Sequence, residues 1–170
     1  MITVENIINF NKGAKKYAES LVSYAAKYDV NTPLRFSHFI AQVAHESGNF
    51  VYVEEIASGK AYEGRKDLGN TQPGDGVWFK GRGLIQVTGR NNYIACSNYL
   101  FSNDTLVKQP KLLCLPEYAV ASAFWFWNSR GLNALADADN IEKITRRING
   151  GLNGFDDRKK KYELARSIFA

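Results

Sequence analysis

From Thr32 to Asn49 the chain reads TPLRFSHFIAQVAHESGN, with Phe36, Phe39, Ile40, Val43 and Ala44 at three- and four-residue spacing. Arg35, His38, Gln42, His45 and Glu46 fall mostly on the other side, so the pattern predicts an amphipathic helix with its apolar stripe toward the core. Thr32 suits the N-cap, Pro33 suits the first helical position, and Ser47-Gly48-Asn49 supplies a stop. Glu46 then sits in the last turn beside His45 and Gln42. The helix dipole disfavours a carboxylate there unless a cation compensates. Glu46 is therefore a candidate acid; a solvated helix-end residue bonded to Arg35 or a lysine fits the same pattern.

Similar periodicity predicts a packing helix over 14–28, with Tyr17, Leu21, Tyr24, Ala25 and Tyr28 on one side. Residues 50–80 are dense in Gly, Asp, Asn and Pro beyond a short apolar element at 50–56, and read as loop. A loop of that length inside a domain is usually functional. It holds the acids Glu54, Glu55, Glu63 and Asp67, the flat side chains of Tyr62, Trp78 and Phe79, and several glycines, a mixture suited to a sugar cleft.

Residues 84–88 read as a short strand or a buried turn, and Asn91-Asn92-Tyr93 lead into a short helix. After a second irregular connection over 99–115, residues 117–129 are apolar nearly all round. That helix is too short to span a bilayer, which makes it a buried core helix. A further helix is expected over 133–148 with a break near 136–139. A last one begins at 155 or 156 and ends at 169, with the run Arg158 to Lys161 as a solvated face. The expected fold class is mainly α, one domain over 1–170 with irregular active-site loops.

Composition narrows the class. A chain of 170 residues with 45% hydrophobic and 23% charged positions can bury one sizeable core, and no Pro/Gly/Ser-rich joint divides it. The opening MITVENIINFNKGAKK lacks the features of a secretory signal, so synthesis as a soluble cytoplasmic protein is expected. Cys96 and Cys114 are too few for a disulfide scaffold. Without suitably spaced histidines they form no zinc signature either, so free buried thiols, in preference to a single disulfide, and no metal or cofactor are expected. A net charge of +5 favours anionic partners.

Several chemistries lack their motif. His45-Glu46 continues as Ser47-Gly48-Asn49, so no HExxH metal site exists; Gly81 and Gly83 belong to no phosphate or dinucleotide loop; no nucleophile elbow is present. Nucleic acid is excluded as a partner, since positive charge is the only supporting feature. Hydrolysis of an acetal needs an acid for the leaving oxygen and, with inversion, a base that activates water. Glu46 and Glu63 can supply the two, with Asp67 competing for the second role.

The segments FIAQVAHESGNF (39–50), AYEGRKDLGN (61–70), FKGRGLIQVTGRNNY (79–93), PEYAVASAFWFWNSRGLN (116–133) and ITRRINGGLNG (144–154) resemble glycoside hydrolase family 19. That family comprises plant-type chitinases and phage or bacterial endolysins with a lysozyme-like fold. The resemblance implies that Glu46 is the general acid and Glu63 the water-activating base of an inverting mechanism. It implies that Gln86, Thr88, Asn92 and Asn149 position substrate or water, and that His45, Tyr62, Arg82 and Arg158 support the site. Two cysteines and no signal resemble the endolysin branch. That branch implies a monomer made in the host cytoplasm that degrades peptidoglycan, reaching the periplasmic wall once the membrane is permeabilised. Its basic surface would make transient contacts with an anionic envelope, without stable membrane insertion. The alternatives are a chitinase and a non-enzymatic basic peptidoglycan-binding module.

Overall fold

Side-chain caps start several of the helices. Thr3 accepts from the Asn6 N–H, Thr32 from Arg35 and Asn140 from Lys143, each satisfying a donor that the helix leaves unpaired. A computed structural model describes residues 1–170. Its α-helices are α1 (Val4–Phe10), α2 (Ala18–Lys27), α3 (Pro33–Glu46), α4 (Asp75–Trp78), α5 (Arg90–Phe101), α6 (Thr105–Lys108), α7 (Pro116–Ser129), α8 (Leu132–Asp137), α9 (Ile141–Asn149) and α10 (Phe155–Phe169). Pairing of the β type is confined to two isolated bridges, Glu54 with Arg82 and Arg82 with Val87. The chain divides into two compact units, Met1–Val51 with Phe126–Ala170, and Tyr52–Trp125.

In the first unit α10 packs along α3. Phe36 meets Phe169 edge to face at 4.9 Å, and Phe39 meets Trp127 in the same way at 5.5 Å. Burying each such ring contributes roughly 1.5–3 kcal/mol. The expected apolar stripe is in the core, but the polar side of α3 is also covered, with His38 and Gln42 both fully buried. What covers it is the start and middle of α10: Tyr162 stacks on His38 at 4.1 Å, and Arg158 bonds to Gln42. The expected solvated face of α10 therefore fails at Arg158, which is buried, and holds for Lys159 and Lys160, which are exposed.

The N-terminal expectation also needs correcting. Residues 12–17 form a 3-10 turn rather than α-helix, and α2 starts only at Ala18. Asn11 caps that turn, and Gly13 sits where a Cβ would lie 2.5 Å from the Asn49 carbonyl oxygen. Helix α1 was not expected. The break over 136–139 is real: α8 ends at Asp137, Asp139 adopts a φ of 52°, and α9 starts afresh at its Asn140 cap.

The second unit contains the glycine-rich segment, which folds as bends, the short 3-10 turns Lys60–Tyr62 and Lys66–Leu68, and α4. The short element expected over 50–56 does not form. Phe50 has a φ of 66°, and only Glu54 enters a bridge. Residues 84–88 are the buried turn, not a strand, with Gln86 at a φ of 60°. Helix α5 is a full twelve residues, and the connection over 99–115 contains α6 and a 3-10 turn at Pro110–Cys114. Residues 119–125 of α7 are buried, as their all-round apolar character requires. Cys96 and Cys114 are free thiols, the first buried and the second half-buried. No helix is long and apolar enough to cross a membrane.

Candidate active site

Arg158 lies in the first turn of α10, which begins at Phe155 after the Gly154 N-cap, with Asp156 and Asp157 near its positive end. Only 1% of its surface is exposed, so each guanidinium edge needs a partner. Nη2 donates to Glu46 Oε1 at 2.6 Å, Nη1 to Gln42 Oε1 at 2.6 Å and Nε to the Asn153 carbonyl at 3.0 Å. Gln42 Nε2 donates in turn to Thr145 Oγ1 at 3.1 Å, and the Asn153 N–H donates to Asn149 Oδ1 at 3.3 Å. Helices α3, α9 and α10 are thus joined around one guanidinium. The Glu46 side chain keeps 26% of its exposure. Its Oε1 is held by Arg158 while Oε2 has no partner in the chain. Arg35, which the sequence pattern also allows as a partner of Glu46, is engaged by Asp29 and Asp137 instead.

His45 precedes the acid and is fixed separately. Its Nδ1 lies 2.6 Å from Asp157 Oδ2, and Lys161 bonds to the same carboxylate at 2.7 Å. Lys161 first, and His45 second, hold the Asp157 carboxyl below its usual range. The His45 ring lies over Gly154, where a Cβ would come within 2.2 Å of the imidazole Cε1. Only glycine permits that approach.

The second unit builds a different constellation on the turn over 81–88. Arg82, 4% exposed, donates through Nε to Glu54 Oε2 at 2.9 Å, and through Nη1 to the Trp78 carbonyl at 2.8 Å and to Tyr93 Oη at 3.1 Å. Its bond to Glu54 holds that carboxyl far below the usual range, to about 2. Glu54 is thereby a fixed anion. Glu55, the next residue, has different partners. Glu55 Oε1 accepts from the Gly81 N–H at 2.8 Å and Oε2 from the Tyr62 hydroxyl at 2.9 Å. Burial, with the bond to Glu55, pushes the Tyr62 phenol up, so it stays a donor.

Gly81 also brings Gln86 and Thr88 to this group. A Cβ on Gly81 would lie 2.6 Å from Gln86 Oε1 and 3.2 Å from Thr88 Oγ1. Thr88 donates to the Gln86 carbonyl at 3.1 Å, Gln86 to the Gly83 carbonyl at 3.2 Å, and Asn92 to the Thr88 carbonyl at 2.9 Å. Of the residues expected in the site, the structure joins Tyr62, Arg82, Gln86, Thr88 and Asn92 on this turn, and Glu46, Asn149 and Arg158 around the guanidinium.

Glu63 belongs to neither group. It is exposed, accepts from the Gly74 N–H at 3.2 Å, and lines a separate concavity with Lys66 and Gln72. Asp67 is likewise exposed and paired with Arg65. The carboxylate on the 81–88 turn is Glu55, which the sequence offered only as one acid among several. Nothing in the sequence sets it apart from the adjacent Glu54; the bond from the Gly81 N–H that marks it is visible only in the fold. No group of three or more His, Cys, Asp or Glu side chains that could hold a metal ion is present.

No family model matches the chain. A Haemophilus influenzae protein described as a glycosyl hydrolase family 19 domain-containing protein is 30% identical over 190 aligned positions, covering 91% of this chain and 92% of that protein. An endochitinase of Arabidopsis thaliana is 37% identical over 130 positions, covering 76% of this chain and 44% of its own length. Among solved structures, chitinase C from Streptomyces griseus superposes with a TM-score of 0.82 at 20% identity, over 99% of this chain and 76% of that one. A class IV chitinase from Zea mays gives 0.73 at 21%, over 92% and 84%. These superpositions show the mainly α, lysozyme-like fold. With 30% identity sustained across nine-tenths of the Haemophilus protein, the chain belongs to family 19 and is a glycoside hydrolase.

Proposed function

We propose that this glycoside hydrolase is an endolysin that cleaves the glycan backbone of bacterial peptidoglycan by an inverting acid/base mechanism. The bond cut is the one whose reducing sugar is N-acetylmuramic acid. The observation that carries the chemistry is Glu46, held by Arg158 through one oxygen with the other free of protein partners. Arg158 is the cation that compensates the helix end at Oε1, and Oε2, which has no partner in the chain, is the oxygen that carries the transferable proton to the leaving oxygen. Glu55 takes the role of base, since the Gly81 N–H and the Tyr62 hydroxyl fix both its oxygens beside Gln86 and Thr88. Thr88 and Gln86 order the water, Asn92 and Asn149 position the acetamido sugar, and no metal or cofactor takes part.

The net charge of +5 supports an anionic wall polymer over a neutral one. On this reading the protein is a monomer made in the cytoplasm. It meets the periplasmic wall after the membrane is permeabilised and makes transient contacts with the anionic envelope. The second reading is a chitinase, favoured by the Arabidopsis endochitinase. Parallel digestion of purified sacculi and of chitin, with mass analysis of the products, separates the two. Reducing N-acetylmuramic acid ends are expected. Cleavage of chitin alone would select the chitinase, and peptide-only products would defeat both.

A further inference from the structure

On the second unit lies a groove of about 740 Å³ whose lining includes Trp78, Arg82, Lys108, Lys111, Leu112 and Leu115. Its walls are apolar and open: Trp78 and Leu115 are each 50% exposed. They are also fixed. The Trp78 indole N–H donates to the Val107 carbonyl at 2.9 Å, and Pro110 is buried at the head of the 3-10 turn that forms the opposite wall. A preformed apolar recess of this size is typical of a small-ligand site.

The charge of the lining narrows the ligand. Three cations border the groove and no carboxylate does. Lys108 is paired with Asp104, but Lys111 has no ion pair. Arg82 bonds through Nε and Nη1 and leaves Nη2 without a partner in the chain. A ligand carboxylate would therefore find two unmet cationic donors over an apolar bed. A sugar would not be served, because the lining offers Gln109 as its one neutral polar side chain.

We propose that this groove binds the peptide arm of the wall polymer, a short anionic peptide with small apolar side chains. The assignment rests on the peptidoglycan reading above. Its carboxylates would meet Lys111 and Arg82, and its methyl groups would lie against Trp78 and Leu115. Arg82 also holds Glu54, the neighbour of Glu55, so an occupied groove steadies the segment that carries the proposed base. The groove would thus favour peptide-bearing glycan over bare aminosugar polymer.

The test titrates an alanyl-glutamyl-diaminopimelyl-alanine tetrapeptide against the full chain, reading amide and indole NMR shifts. Saturable binding that moves the Trp78 indole signal is expected, weakening as salt rises. Lys111→Glu and Trp78→Ala should each weaken it by about tenfold. On substrate, Lys111→Glu should lower kcat/KM on intact sacculi about fivefold more than on glycan stripped of its peptides by an amidase. No saturable peptide binding, equal losses on both substrates, or binding of anionic lipid vesicles in place of the peptide would each overturn the proposal. Sacculus digestion without peptide binding would reject the groove assignment alone. Peptide binding by a chain that digests only chitin would reject the wall reading and leave the groove standing.

Discussion

Arg158 Nη2 and Glu46 Oε1 lie 2.6 Å apart across 112 positions of sequence, and the same guanidinium holds Gln42. Removing it leaves a buried amide and a half-buried carboxylate without their donor. Arg158→Met should cost roughly 2–4 kcal/mol in urea unfolding, short of the fully buried range because Glu46 keeps 26% exposure. Turnover should fall roughly a hundredfold through misplacement of the acid. Arg158→Lys keeps the charge but cannot form the fork, so it should recover less than half of the lost stability. Near-wild-type turnover in Arg158→Met would remove the guanidinium from the mechanism.

Gly154 and His45 give a second, purely steric test. Gly154→Ala places a Cβ 2.2 Å from the His45 Cε1 at a φ of 71°, so the ring must leave its bond to Asp157. Gly150→Ala is the control, since it shares a left-handed backbone, with a φ of 81°, and has open space around it. The control should lose about 1–2 kcal/mol for backbone conformation alone. Gly154→Ala should lose more and should also reduce turnover, with the His45 ring signals shifted in the NMR spectrum. Equal effects of the two substitutions would mean that the contact with His45 has no consequence.

Stability should fall in two stages as pH is lowered. His38 is fully buried, and desolvation lowers its pKa below the ordinary 6.5 despite the nearby Asp139. Around it stand Asp139, Tyr162 and Arg166. Below about pH 6.5 the unfolded chain takes up a proton that the folded chain does not, so stability declines as pH falls through this range. The second stage belongs to carboxylates whose folded values are depressed: Asp75 by Arg90, Asp139 by Tyr162, and Glu54, which Arg82 holds at about 2. Their contribution is full above pH 5 and is lost as they protonate. Urea midpoints from pH 8 to pH 3 report both stages, and His38→Gln should flatten the first only. A midpoint that does not change between pH 7.5 and 5 would show that His38 is not held neutral by burial.

Helices α3, α7 and α10 were legible because each carries its own signal: a cap and a stop for α3, and an all-round apolar run for α7. For α10 the signal was acids in its first turn. The break between α8 and α9 showed as a cluster of Ala, Asp and Asn. Helix α1 was missed although Thr3 caps it and Ile7 and Phe10 stand three apart, because seven positions are too few to establish a period. Burial of the polar side of α3 was illegible for another reason: its cover, Arg158 and Tyr162, comes more than a hundred residues later. Arg158 looked like part of a solvated charge run because sequence shows its neighbours and not its partners. That Glu55, and not Glu63, is bonded to the 81–88 turn was illegible for the same reason. Both lie in one irregular segment, and the Gly81 N–H, which singles out Glu55, comes from a turn outside it.

The three glutamates can be separated by isosteric substitution. Glu46→Gln keeps the shape and can still accept from Arg158, but it has no transferable proton, so turnover should fall about a thousandfold while the protein stays folded. Glu55→Gln can keep the bond from the Gly81 N–H through its remaining oxygen, and the Tyr62 hydroxyl can turn to accept from the new amide. The fold should therefore survive while the base is lost, with a comparable drop in turnover. Thr88→Val removes a hydroxyl that orders water, not a charge, and should cost less, about tenfold. Glu63→Gln touches an exposed side chain whose one bond comes from the Gly74 N–H, so turnover should stay within about twofold. The anomer released on the first turnover completes the assignment. Direct attack by water gives inversion, whereas attack by a carboxylate would give retention through a glycosyl-enzyme. A severe loss in Glu63→Gln with a mild one in Glu55→Gln would restore Glu63 as the base. Retention would reject direct attack by water even if Glu46 and Glu55 both proved essential, because the second carboxylate would then be the nucleophile.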